Sequence, residues 1–131
     1  MKDKSISEWI EKADTDLRVA KKLFELEEAA WIIAFHSQQA VEKFLKAFLI
    51  KNNVKFRKTH DIKELLDLCI QIDKDFEKLK ELGIEYLTEY ATDIKYPGFY
   101  EPSMEEAKEA IEIAEKVKEF VLNKLKEKGL E

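Results

Sequence analysis

Apolar residues recur every three or four positions along most of this chain, the spacing that lines one face of an α-helix. Ile6, Trp9, Ile10, Ala13, Leu17, Ala20 and Phe24 form one such stripe, with a charged face opposite. Ser5 and Glu8 have the spacing of a capping box, so the pattern predicts a first helix from about Ser5 to Glu27–Ala29. A second helix is predicted from Ala30 to Lys51. Ala30, Ile33, Ala34, Val41, Phe44, Leu45, Ala47, Phe48 and Leu49 cover a wide arc of it, which implies contact with more than one neighbour and a central place in a bundle. A third helix starts near Thr59-His60-Asp61, with Thr59 as N-cap and Asp61 favourable to the helix dipole; Ile62, Leu65, Leu66, Cys69 and Ile72 face inward. Phe76, Leu79 and Leu82 mark a short additional helix, and Gly83 a kink or break. Ile84, Leu87, Ala91 and Ile94 carry a fourth helix to Lys95. After the loop bracketed by Pro97 and Pro102, Ser103 and Glu106 repeat the capping-box spacing. The inner stripe of the last helix is Ala107, Ala110, Ile111, Ala114, Val117, Val121 and Leu125, and Gly129 is a suitable stop. The expected fold is all-α, an up-and-down four-helix bundle with one extra short helix, in a single domain over residues 1–131.

Composition sharpens this picture. Only three Gly and two Pro occur among 131 residues, too few for the many turns of an all-β fold. Apolar residues make up 45%, enough to build a core and to exclude disorder. The single cysteine, Cys69, excludes an internal disulfide and sits in an apolar run, as a small buried hydrophobe would. No apolar stretch approaches the length of a membrane span and the charged start does not resemble a signal peptide, so a cytoplasmic location is expected. The net charge is −5 and the pI about 5.3, which argues against a protein whose main work is coating a nucleic-acid backbone, while leaving room for a local basic site.

Chemistry concentrates in the second helix. His36, Gln39, Lys43 and Lys46 are spaced i, i+3, i+7 and i+10, so an imidazole, an amide and two ammonium groups share one face, bordered by Glu42. Such a row suits the phosphate and base edges of a nucleotide, although a solvated helix face is the commoner reason for this spacing. Ser37 and Gln38 fall within or beside the apolar arc, where a buried amide needs partners: an interhelical hydrogen bond, a ligand or a second subunit. His60 stands beside Asp61 without a serine or cysteine nucleophile, positioned to cap a helix or to pair with Asp61 or a carboxylate of the second helix. Two histidines without suitably spaced Cys or carboxylates make no metal site, and no glycine-rich phosphate loop is present. The loop Asp93–Tyr100 groups Lys95, Tyr96, Phe99 and Tyr100, which either stack on bases and meet a phosphate or plug the end of the bundle.

Three motifs together resemble the HEPN domain family: His36-Ser37-Gln38-Gln39-Ala40-Val41-Glu42-Lys43-Phe44-Leu45-Lys46-Ala47, like the family's second-helix signature; Thr59-His60-Asp61-Ile62, like its His-Asp opening of the third helix; and Lys95-Tyr96-Pro97, where many relatives have Arg-Tyr-Pro. The resemblance spans nearly the whole chain. It implies an up-and-down helical bundle, often homodimeric, frequently encoded beside a minimal nucleotidyltransferase in pairs that resemble toxin–antitoxin modules. No cofactor is expected. Some members are metal-independent ribonucleases with an Arg followed four to six residues later by His. Here Arg57 precedes His60 by three positions, Arg18 has no nearby His, and none follows Lys95, so no catalytic residue is carried over.

Three functions follow as expectations. The first is a non-catalytic component that binds a nucleotide, RNA or a nucleotidyltransferase through His36, Gln39, Lys43, Lys46, His60, Asp61, Lys95, Tyr96 and Tyr100. The second is a ribonuclease with an altered site using His60 and Lys95. The third is a homodimerising module with Gln38 and Gln39 at a two-fold axis. The charged surface, 39% of residues and almost all its cations Lys, has the hyperthermophile bias. A melting scan is therefore expected to place the midpoint above the ~45–65 °C range of mesophile domains.

Overall fold

The computed structural model describes residues 2–84, 87 and 101–127, with the side chains of 2–4 excepted. Among the described residues there is no strand, and the elements are four α-helices and a 3-10 helix. They are α1 (Lys2–Glu25), α2 (Ala30–Lys51), α3 (Ile62–Ile72), the 3-10 helix Lys74–Leu82 and α4 (Met104–Glu127). This is the all-α bundle that the hydrophobic spacing predicts. The predicted helix ending at Lys95 lies largely outside the described residues; its first anchors, Ile84 and Leu87, are buried.

α2 is central. It packs on α1, α3 and α4, and Val41, Phe44, Leu45, Ala47, Phe48 and Leu49 have no appreciable exposure. The connection from α1 takes four residues, so the two helices run antiparallel. The turn is built without glycine: Glu27 and Ala29 take positive φ values of 53° and 39°, and the Glu28 amide donates back to the Leu23 carbonyl at 3.0 Å. Asn53 closes α2 in the same manner, with φ 60° and the Val54 amide donating to the Leu49 carbonyl at 3.0 Å. The far end of the core is aromatic. The Phe76 ring of the 3-10 helix stands 4.4 Å from Phe48 of α2 and 4.9 Å from Phe120 of α4, centroid to centroid. Lys124 of α4 also ties that helix to the start of the 3-10 helix, with its ammonium on Asp75 at 2.6 Å and Asp73 at 2.9 Å; those hydrogen bonds hold its pKa above the ordinary lysine value.

Helix starts show where sequence patterns mislead. At α4 the capping box forms as spaced: Glu106 N–H donates to Ser103 Oγ at 3.1 Å and Ser103 N–H donates to Glu106 Oε1 at 3.0 Å. At α1 the box at Ser5 and Glu8 is not the start, because the helix begins three residues earlier, at Lys2. At α3 the N-cap is Asp61, not Thr59. Asp61 accepts from the amides of Lys63 at 3.0 Å and Glu64 at 3.5 Å, while Thr59 Oγ1 accepts from Asp61 N–H at 3.0 Å. The hydroxyl thus braces the capping residue instead of capping the helix itself. Among the described residues, no helix is long and apolar enough to cross a membrane.

Candidate functional site

Two carboxylates organise the polar face of α2. Asp16 of α1 lies opposite the row: His36 Nδ1 donates to its Oδ1 at 2.9 Å and Lys43 Nζ to its Oδ2 at 2.6 Å. The seven-residue spacing of His36 and Lys43 is what lets one carboxylate receive both. Burial alone would raise the Asp16 pKa, but the hydrogen bonds from His36 and Lys43 outweigh it and hold the value below the ordinary 3.8.

The second hub is Glu42, whose side chain is 2% exposed. Lys46, one turn on and 7% exposed, donates to Oε2 at 2.9 Å. Gln38, one turn back, donates to Oε1 at 3.2 Å. His60 arrives from the start of α3, with Nδ1 donating to Oε1 at 2.9 Å and lying 3.1 Å from Oε2. An ionised carboxylate only accepts, so the His60 proton sits on Nδ1. The imidazole is otherwise open to solvent, at 66% exposure. Gln38 also donates to the His60 carbonyl at 3.4 Å and accepts from Gln39 Nε2 at 3.0 Å. Its burial is explained by this network, which includes a bond from α2 to the connection before α3, and Ser37 is satisfied by the Ile33 carbonyl at 2.9 Å. The Lys46 ammonium further lies 5.4 Å from the Trp9 ring centroid and 5.8 Å from that of Phe56.

The structure therefore brings His36, Gln39 and Lys43 together at a half-buried surface, with His60 across Glu42 from them. Lys46 is enclosed instead, and the Asp61 carboxylate is engaged as a helix cap. Lys95, Tyr96 and Tyr100 lie outside the described residues. Spacing within one helix does not reveal Asp16, the partner of two row residues; its only sequence signal is a carboxylate at the edge of the first helix's apolar arc, beside Leu17. Among the described residues, no group of three or more His, Cys, Asp or Glu is arranged to hold a metal ion. Burial raises the Cys69 thiol well above its ordinary pKa, consistent with packing and not with nucleophilic work.

The HEPN domain family profile matches residues 6–126, nearly the whole chain. The chain belongs to the HEPN domain family. A relative from Methanocaldococcus jannaschii, named "Putative toxin MJ1304", is 36% identical over 135 aligned residues, covering 92% of this chain and 88% of its own. Among solved structures, TT1696 from Thermus thermophilus matches with a TM-score of 0.71 at 29% identity, over 91% of this HEPN chain and 97% of its own. ST0689, described as an archaeal HEPN homologue, matches in fold with a TM-score of 0.73 at 24% identity, over 91% and 96%.

Two measurements check the hubs. Replacing Glu42 by Gln leaves the Lys46 ammonium enclosed without a counter-charge, an expected loss of about 3–5 kcal/mol in urea unfolding, and adding Lys46→Met recovers much of it. Asp16 has a folded-state pKa below its unfolded value, so its contribution is present above about 3.8 and is lost as pH falls through the lower folded value. Urea midpoints followed into that acid range are expected to fall less steeply for Asp16→Asn than for the wild type.

Proposed function

We propose that this HEPN protein is one half of a two-component, toxin–antitoxin-like pair whose other half is a minimal nucleotidyltransferase. The observation that carries the reading is the 36% identity, over 92% of the chain, to the relative named "Putative toxin MJ1304". The geometry supports a partner surface on α2 more than a phosphate site. Lys43 and Lys46 are already neutralised by Asp16 and Glu42, so neither ammonium of the row is free to meet a phosphate. His36, Gln39 and Lys43 are instead held in fixed positions at the surface, the kind of preorganised polar group that gives a protein interface its specificity. Trp31, on the first turn of the same helix and 43% exposed, supplies a large aromatic anchor of the type that dominates interface energetics.

A second reading, RNA cleavage with His60 moving a proton, draws on one observation: an exposed imidazole whose Nδ1 is fixed by a buried carboxylate, leaving its other ring nitrogen outward. Cleavage of a labelled RNA lost in His60→Ala would support it, and no cleavage by the wild type would remove it.

For the main reading, expression of the chain alone is expected to slow growth of a bacterial host, and co-expression of the nucleotidyltransferase encoded beside it to restore growth. The two proteins are expected to co-purify, and Trp31→Ala with Lys43→Glu to weaken the complex at least tenfold. Unimpaired growth together with no complex would sink the proposal.

A further inference from the structure

Both α1 and α4 lie on α2, and two ion pairs tie them to each other: Asp14 with Lys118, and Lys21 with Glu115. Rising numbers on α1 answer falling numbers on α4, so these two helices are antiparallel. Asp14 is engaged twice, by Lys118 and by Arg18 at 3.0 Å, and the hydrogen bond from Lys118 is the main cause that holds its pKa below the ordinary 3.8. Beyond this pair, toward the start of α1 and the end of α4, a groove of about 460 Å³ opens between the helices. Ile10 and Leu122, both half-buried, and the buried Leu125 form its apolar lining. The Asp14–Lys118 pair closes one end. Ser7 and Lys126 stand at the other, about 10–12 Å away along the helix axes. Lys126 is exposed and has no ion pair among the described residues. Glu11, exposed on the α1 wall one turn in from Ser7, has none either.

We infer that this groove binds an aliphatic monocarboxylic acid of medium chain length, with its tail along Ile10, Leu122 and Leu125 and its carboxylate on Lys126 and Ser7. Size and shape select a small ligand. Pockets between the helices of bundles, largely apolar with a few convergent polar groups, are common ligand sites at volumes of about 300–1,000 Å³. A stable protein partner needs roughly 1,000 Å² of surface and usually aromatic anchors. This groove is about two helical turns long, and among the described residues no aromatic side chain lines it. A bilayer needs large apolar side chains on the rim; those exposed among the described residues, Val19, Leu26 and Trp31, all lie elsewhere, toward the turn between α1 and α2. Charge then selects the head. The two groups at the open end, a hydroxyl and an ammonium, can both donate to a carboxylate. Lys118 cannot take that part, because Asp14 already answers its charge. An amine of the same length would bring its charge against Lys126. Glu11 adds a limit: a second negative charge on the head would stand against it, so the site favours a monoanion over a dianion. None of the residues of the α2 partner surface takes part, and the inference stands or falls separately from that reading.

The test is a titration of the full chain, uniformly labelled with nitrogen-15, with sodium decanoate below its micelle onset, followed by amide NMR shifts. Saturable shifts are expected around Ile10, Leu122 and Lys126, with a dissociation constant on the order of 1 mM or below. Decylamine, decanol and decyl phosphate are each expected to bind at least threefold more weakly than decanoate. Lys126→Glu, a change at an exposed position, is expected to weaken decanoate at least fivefold and to strengthen decylamine, a reversal that a merely structural role would not produce. Glu11→Gln is expected to tighten decanoate about twofold. Lys108→Glu makes the same charge change elsewhere on α4 and is expected to bind decanoate within about twofold of the wild type. Circular dichroism and urea midpoints confirm that the variants fold. No saturable shift, or shifts that map away from the groove, overturn the proposal. So does decylamine or decanol binding as tightly as decanoate, an unaffected Lys126→Glu, or equal weakening by Lys108→Glu. Tighter binding to phosphatidylglycerol vesicles, or to a trileucine peptide with a free C-terminal carboxylate, also overturns it, in favour of a membrane or of a protein tail.

Discussion

A carboxylate almost fully removed from water must be met by charge and hydrogen bonds, or it costs several kcal/mol. Glu42 meets that demand with Lys46 and Gln38 from its own helix and with His60 from the next. The first two are local and follow from helical spacing. The third is a constraint on the whole fold: the ten-residue connection after α2 has to return so that His60 lands over Glu42. Once it does, Asp61 is placed to cap α3, and Ile62, Leu65, Leu66 and Cys69 follow onto the core. The start of α3 is thus set by a polar contact, and its apolar stripe takes the orientation that this contact permits.

The two hubs also decide which charges remain for outside partners. Asp16 and Glu42 consume the ammonium groups of Lys43 and Lys46, so the row on α2 is close to neutral and suits a partner read by shape and hydrogen bonds. On and beside the connection that Glu42 anchors, Arg57 is engaged by Glu64, while Lys55, Lys58 and Lys63 have no ion pair among the described residues. α2 therefore joins two unlike ends about 30 Å apart, one with exposed Leu26 and Trp31, the other with exposed lysines. An acidic chain gains a short basic stretch in this way without a basic composition, so its net charge of −5 describes the whole chain and not each surface.

Much of this is legible in the residue pattern. The bounds of α2, its central position, the capping box at Ser103 and the inward face of α3 all follow from periodicity and local capping chemistry, which act within a few residues. The start of α1 does not follow, because a capping-box spacing is present at Ser5 whether or not a helix begins there. The cap of α3 does not follow either, because Thr59 and Asp61 are both competent and only geometry chooses. The site is legible as a set of residues on one face but not as a network. Helical spacing states that His36 and Lys43 are neighbours; it does not state that a carboxylate twenty and twenty-seven positions earlier lies between them. Nor does it show that the Lys46–Glu42 pair, one turn apart, is enclosed by Trp9 of α1 and Phe56 of the following connection.

The Asp16 bracket has a further consequence for register. The buried faces of α1 and α2 are rich in alanine: Ala13 and Ala20 on one, Ala34, Ala40 and Ala47 on the other. Small, similar side chains discriminate poorly between neighbouring registers, because sliding one helix by a turn of about 5.4 Å still sets apolar surface against apolar surface. A slip of that size removes Asp16 from His36 and Lys43 and leaves a largely buried carboxylate without its partners. The polar bracket therefore distinguishes registers that the alanines tolerate, the role for which buried polar pairs are best attested. With α1 fixed in this way, Trp9 comes level with Lys46 and closes the enclosure around Glu42, so the hub on α1 supports the hub that places His60.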